Sequence, residues 1–138
     1  MNEQRLLKLA NLLEENANNP KGMRFDLTRW VYSAGKEPAV DCGTTGCAMG
    51  LAAISGIFKE DGINLYIEGT GVALYKHGYI YHGFNAAAAL FDIEVFAAIK
   101  LFSQDQYKVF RGSEAELAVA ARIRAFVTTD IIQSGIHP

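Results

Sequence analysis

The stretch Ile63-Asn-Leu-Tyr-Ile-Glu-Gly-Thr-Gly-Val-Ala-Leu-Tyr-Lys-His-Gly-Tyr-Ile-Tyr-His82 decides the class of the fold. On both sides of it apolar residues recur every three or four positions, the period of a helix. Within it β-branched and aromatic residues alternate and Gly69, Gly71 and Gly78 punctuate them, the pattern of strands and turns. The pattern predicts strands over 63–68, 72–76 and 79–82, with a β-hairpin near residues 72–82. Lys76-His77-Gly78 can close that hairpin as a three-residue turn or as a two-residue His-Gly loop. The three-residue turn sorts Val72, Leu74 and Ile80 onto one face and Tyr75, Tyr79 and Tyr81 onto the other, and that segregation favours it.

Outward from this segment the chain reads as helices. Leu6, Leu9 and Leu13, with Leu7, Ala10 and Leu12, place one over about residues 3–16, ended by poor helix formers from Asn16 to Pro20. Asp26 can cap a short helix carrying Leu27, Trp30 and Val31, stopped by Gly35. Thr44 or Thr45 can cap the next, running to about Ser55, in which Cys47, Leu51 and Ile54 form one stripe. Gly46, Gly50 and Ala53 form an adjacent stripe so small that another helix can pack closely on it. Asn85 opens an alanine-rich helix, and Asp92 with Glu94 supplies an acidic first turn for a helix holding Val95, Phe96, Ile99 and Phe102. Ser113-Glu-Ala-Glu116 has the spacing of a capping box ahead of an apolar face of Val119, Ala120, Ile123, Phe126 and Val127. The expected fold is α+β and mainly α, with five or six helices and a small three-stranded antiparallel sheet in a single domain over residues 1–138.

Composition narrows the function. Of 138 residues, 50% are hydrophobic and 20% charged, and no apolar run approaches the ~20 residues that span a bilayer. The charged start Met-Asn-Glu-Gln-Arg5 is unlike a secretion signal, so a cytoplasmic location with reduced cysteines is expected. A net charge of −2, with Arg111, Arg122 and Arg124 scattered, gives no electrostatic footprint for nucleic acid.

The segment Asp41-Cys-Gly-Thr-Thr-Gly-Cys-Ala-Met-Gly50 is the best candidate for chemistry. If it opens a helix, the unpaired N–H groups of Thr44, Thr45 and Gly46 favour a ligand or anion there. Cys42 as nucleophile with His82 as base loosely follows the order of a cysteine hydrolase, although no orienting Asn or Asp follows His82. The competing reading makes Cys47 a small core residue and Cys42 a loop thiol. Cys42-x4-Cys47 and His77-x4-His82 each fit a structural zinc spacing, but on a strand the two histidines lie roughly 15 Å apart along the chain and face opposite ways, so no metal site is expected. Gly69-Thr-Gly71 lacks the third glycine of a dinucleotide loop and precedes a strand, and no cofactor is implied.

With Arg24-Phe-Asp-Leu-Thr-Arg-Trp30, Cys42-Gly-Thr-Thr-Gly-Cys-Ala-Met-Gly50, Leu90-Phe-Asp-Ile93 and Ala120-Ala-Arg-Ile123 in that order, most of the chain resembles a group of small bacterial and phage proteins of uncharacterised function. It departs from their pattern in its tyrosine-rich hairpin. The resemblance implies a compact, mainly helical cytoplasmic domain and no assigned activity. Tyr66, Tyr75, Tyr79 and Tyr81 crowd the strand region, where amphipathic rings suit a contact surface and sheet edges need covering. The expected function is therefore a non-enzymatic module that binds a protein partner or another copy of itself, with a cysteine-dependent hydrolase using Cys42 and His82 as the alternative. These residues specify no small-molecule ligand.

Overall fold

A computed structural model describes residues 1–33, 37–66 and 71–135. Helix α1, Glu3–Ala17, buries Leu6, Leu9, Ala10 and Leu13 on one stripe. Its first turn is capped by Asn2, whose Oδ1 accepts from the Arg5 N–H at 3.0 Å.

Residues 24–46 depart from the helical reading. The Asp26 side chain turns the chain without starting a helix: its Oδ1 accepts from the Thr28 N–H at 2.9 Å and from the Thr28 hydroxyl at 2.6 Å. Local bonding by aspartate serves turns and helix caps alike, so the residue alone does not distinguish them. Three short strands follow, β1 (Arg24–Phe25), β2 (Val31–Ser33) and β3 (Thr44–Gly46), in a mixed sheet of order β1-β3-β2. β1 runs parallel to β3 with Arg24 opposite Thr45, and β2 runs antiparallel to it with Tyr32 opposite Thr45. This sheet was not expected, and Gly35 lies outside the described residues.

Helix α2 spans Ala48–Ser55, so Thr44, Thr45 and Gly46 precede it in a strand and do not form its start. Cys47 takes the cap position with extended backbone and no side-chain cap bond. Gly50 does face a close neighbour, as its place in the small-residue stripe predicts. That neighbour is the backbone entering β2 and not another helix: a Cβ on Gly50 would collide with the Trp30 carbonyl and approach Val31 Cγ2.

The second sheet carries β4 (Ile63–Tyr66), β5 (Gly71–Lys76) and β6 (Tyr79–His82), antiparallel in that order, where the alternation predicts strands. Its hairpin register overturns the three-residue turn, because Leu74 pairs with Tyr81, Tyr75 with Ile80 and Lys76 with Tyr79. His77 and Gly78 form a two-residue loop with φ of 52° and 79°, the doubly left-handed geometry that matches strand twist. Turn twist outweighs segregation of side-chain types. Ile63, Val72 and Leu74 are buried on the inner face with Tyr81 half-buried beside them, whereas Tyr75 and Ile80 share the exposed outer face.

Helix α3 runs over Gly83–Phe91, opening two residues before Asn85, and α4 over Val95–Phe102. Asp92 ends α3 in a left-handed conformation and Glu94 makes no side-chain cap bond, so neither provides the acidic first turn expected of α4. Helix α5, Gly112–Gly135, already includes Ser113, whose Oγ donates to the Ala17 carbonyl at 3.2 Å. The capping box is thereby excluded. Val119, Ala120, Ile123 and Val127 are buried and Phe126 is half-buried, as the apolar face predicts. α5 packs along α1, where Arg124 donates to both carboxylate oxygens of Glu14 at 3.1 and 2.7 Å. Phe58, Phe91 and Phe102 fill the core, with successive ring centroids 5.8 Å apart. Among the described residues no helix is long and apolar enough to cross a membrane.

Candidate functional site

The end of α1, the first sheet and the start of α5 enclose a cleft of about 750 Å³. Its geometry starts from Asn16, read in the sequence as a helix-ending residue. Buried on the α1 stripe, Asn16 accepts from the Met23 N–H at 2.8 Å through Oδ1 and donates through Nδ2 to the Met23 carbonyl at 2.9 Å. The same Nδ2 donates to Glu116 Oε2 at 2.8 Å across 100 residues of sequence. Glu116 is 1% exposed and lines the cleft. Burial pushes its carboxyl up to about 7, with the Asn16 hydrogen bond opposing the shift.

A second carboxylate sits opposite in character. Asp26 is buried, which alone would raise its pKa. The two Thr28 hydrogen bonds and the charge of Arg111, whose Nε donates to Oδ2 at 3.1 Å, outweigh that and hold it below the ordinary carboxylate range. Asp26 and Arg111 also form an antiparallel bridge, and the Leu27 N–H donates to the Phe110 carbonyl at 2.8 Å, so the residues before α5 extend the first sheet. Arg24 and Arg29 join Arg111 along the walls, with the Arg29 guanidinium 4.6 Å from the centre of the Tyr32 ring. Two carboxyl groups with pKa values driven apart therefore line this cleft beside three guanidinium groups.

The expected site residues fall in different places. Thr44 is buried, and its Oγ1 accepts from the Ala39 N–H at 3.1 Å. Gly46 is buried against the Trp30 carbonyl, and Thr45 lines the cleft. Cys42 is exposed in the turn before β3 and also lines the cleft, whereas His82 closes β6 on the second sheet and is not among the cleft residues. No histidine lies beside Cys42 in that cleft. Cys47 is buried, and desolvation raises its thiol to about 11, an effect the nearby backbone N–H groups oppose only in part. No group of three or more His, Cys, Asp or Glu among the described residues is arranged to hold a metal ion. Tyr75 and Tyr79 are exposed, Tyr81 is half-buried opposite Leu74, and the Tyr66 side chain lies outside the described set.

The sequence does not mark Asn16, Asp26, Arg111 or Glu116 as site residues. For Glu116 a signal existed: it falls in line with Ala120, Ile123 and Val127 on the apolar face of α5, where a carboxylate needs a partner. Its raised pKa fixes a pH dependence. Between about 4.5 and about 7 the folded chain keeps a proton on Glu116 that the unfolded chain has released. Stability is therefore fully present below the lower value and falls as pH rises through the upper one, by up to about 3 kcal/mol. Urea unfolding at about pH 5 and about pH 8 should give a larger loss in the native chain than in Glu116→Gln, which stays neutral. Equal losses in the two proteins would show that Glu116 ionises normally.

No protein-family model, curated protein or solved structure matches the chain.

Proposed function

We propose that this chain is a non-enzymatic binding module that associates with a second copy of itself through α4 and the neighbouring hairpin. One observation carries the reading. α4 reads Val-Phe-Ala-Ala-Ile-Lys-Leu-Phe, apolar at every position except Lys100, yet the fold covers one side of it. Ala98, Leu101 and Phe102 are buried, while Val95, Ile99 and Phe96, the last 59% exposed, point away from the core. A helix apolar on all sides ordinarily has neighbours on all sides. Here Lys100, its Nζ 4.4 Å from the Phe96 ring centre, gives partial cover.

The surface continues past the helix. Tyr81, Ile93 and Val95 line a groove of about 420 Å³ between hairpin and helix, and Tyr79, 69% exposed, pairs with the groove residue Lys76. An interface of standard size takes about 800 Å² from each partner, more than an eight-residue helix of ~12 Å supplies, so the hairpin shares in the contact. A two-fold contact must be self-complementary. Glu94 at one end of α4 and Lys100 at the other meet opposite charges when two copies of the helix lie antiparallel.

Sedimentation velocity tests this reading. At roughly 100 µM, well above a micromolar Kd, the native chain should sediment as a dimer and Phe96→Asp as a monomer with a native far-ultraviolet circular dichroism spectrum. A native chain that remains monomeric, or a Phe96→Asp variant that remains dimeric, would overturn it.

A further inference from the structure

We infer that the cleft between the end of α1, the first sheet and the start of α5 is a binding site for a small dianion carrying sulfate-like, phosphate or paired carboxylate oxygens. This site is separate from the α4 surface and does not depend on self-association.

The inference rests on how charge is distributed around one cavity. The charged and titratable side chains that line the cleft with Glu116 are Arg24, Asp26, Arg29, Tyr32, Cys42 and Arg111. Among the described residues, Arg111 alone of the three guanidinium groups is paired with a carboxylate. Arg111 engages Asp26 through Nε, which leaves its terminal nitrogens unbonded to any carboxylate among the described residues, and its side chain is 74% exposed. Arg24 and Arg29 have no carboxylate partner among the described residues. Arg29 lies on the Tyr32 ring, which fixes the plane of its guanidinium and leaves its edge donors for an acceptor.

A chain of net charge −2 thus gathers an excess of two positive charges around this cavity whenever Glu116 is neutral. Guanidinium groups bind oxyanions in paired, charge-assisted hydrogen bonds, and a low-dielectric wall strengthens them. The volume is that of an ordinary small-molecule pocket. Glu116, a buried residue of the lining, adds a group that donates a hydrogen bond when protonated and repels an anion when ionised. Because its carboxyl lies near neutrality, occupancy by an anion is coupled to one proton.

Isothermal titration of the full chain with sodium sulfate and with succinate tests the site, since sulfate stays dianionic from about pH 6 to about pH 8.5 and succinate supplies two carboxylates. Saturable heat with either probe is expected. Sulfate alone assigns the site to tetrahedral oxyanions, and succinate alone assigns it to dicarboxylates. Arg24→Gln combined with Arg29→Gln should weaken binding about tenfold or more, whereas Arg124→Gln, two turns further along α5 and outside the cleft, should leave it unchanged. Affinity for sulfate should fall as pH rises in the native chain and stay level in Glu116→Gln. No saturable binding of either probe at about 20 mM, or equal affinity in the double variant, would overturn the site. A pH dependence that survives in Glu116→Gln would remove Glu116 from it.

Discussion

Replacing Gly50 by alanine should destabilise the fold by about 3 kcal/mol, although the same change at an unconstrained helix position would add about 1 kcal/mol. The sign reverses because the new Cβ would occupy the space of the Trp30 carbonyl, a backbone group that cannot swing away as a side-chain tip can. Trp30 is fixed from the other side: its carbonyl accepts from the Cys47 N–H at 3.3 Å, and its ring meets the Phe84 ring edge-on at 5.1 Å. Relief therefore means separating α2 from β2. A guanidinium chloride midpoint equal to that of the native chain would show that the seam between them accommodates a methyl group.

Asn16→Ala should cost about 3–5 kcal/mol by the same measurement, more than a polar residue near a helix end ordinarily carries. Truncation leaves the Met23 N–H and carbonyl without their partner and removes the Asn16 hydrogen bond from Glu116. Each buried group left unpaired costs about 1–3 kcal/mol unless water reaches it. Glu116 would then be driven further toward its neutral form, so the loss should be larger at high pH than at low pH. A cost below about 1 kcal/mol would mean that water from the cleft replaces the amide.

These two residues mark where the sequence could and could not be read. Period alone located α1, the apolar face of α5 and the three strands of the second sheet, because in each the spacing of buried side chains repeats over several turns or pleats. The first sheet was invisible for a physical reason. Its strands are two or three residues long, too short for alternation to register, and they are held by partners up to 21 positions away, as when Phe25 pairs with Gly46. Asp26 and Thr44 were read as helix caps because a side chain that bonds nearby backbone does so in turns as well. Ser113 and Glu116 have the spacing of a capping box, yet each reaches a residue of the α1 end, a contact that no local pattern encodes. The hairpin register follows turn twist, which the distribution of side-chain types along the strands does not report. Of the cleft, Cys42 and Thr45 stood out by composition, while the carboxyl groups did not, since their character comes from burial.

The pairing of α1 with α5 governs when this fold can form during synthesis. Glu14 and Arg124 meet across 110 residues, and the last turns of α1 are closed by Ser113 and Glu116. Until those residues leave the ribosome, Leu6, Leu9 and Leu13 have no α5 to pack against. At about 5–20 residues per second the wait lasts on the order of 5–20 s, long compared with the microseconds in which the helices themselves can form. During that interval the emerging chain presents an amphipathic helix with an open leucine stripe, the kind of surface that holding chaperones cover. Native assembly is in this sense a closing event. The last long helix completes the core that the first one began, and a nascent chain halted before residue 112 holds neither the cleft nor the bridge from Asp26 to Arg111.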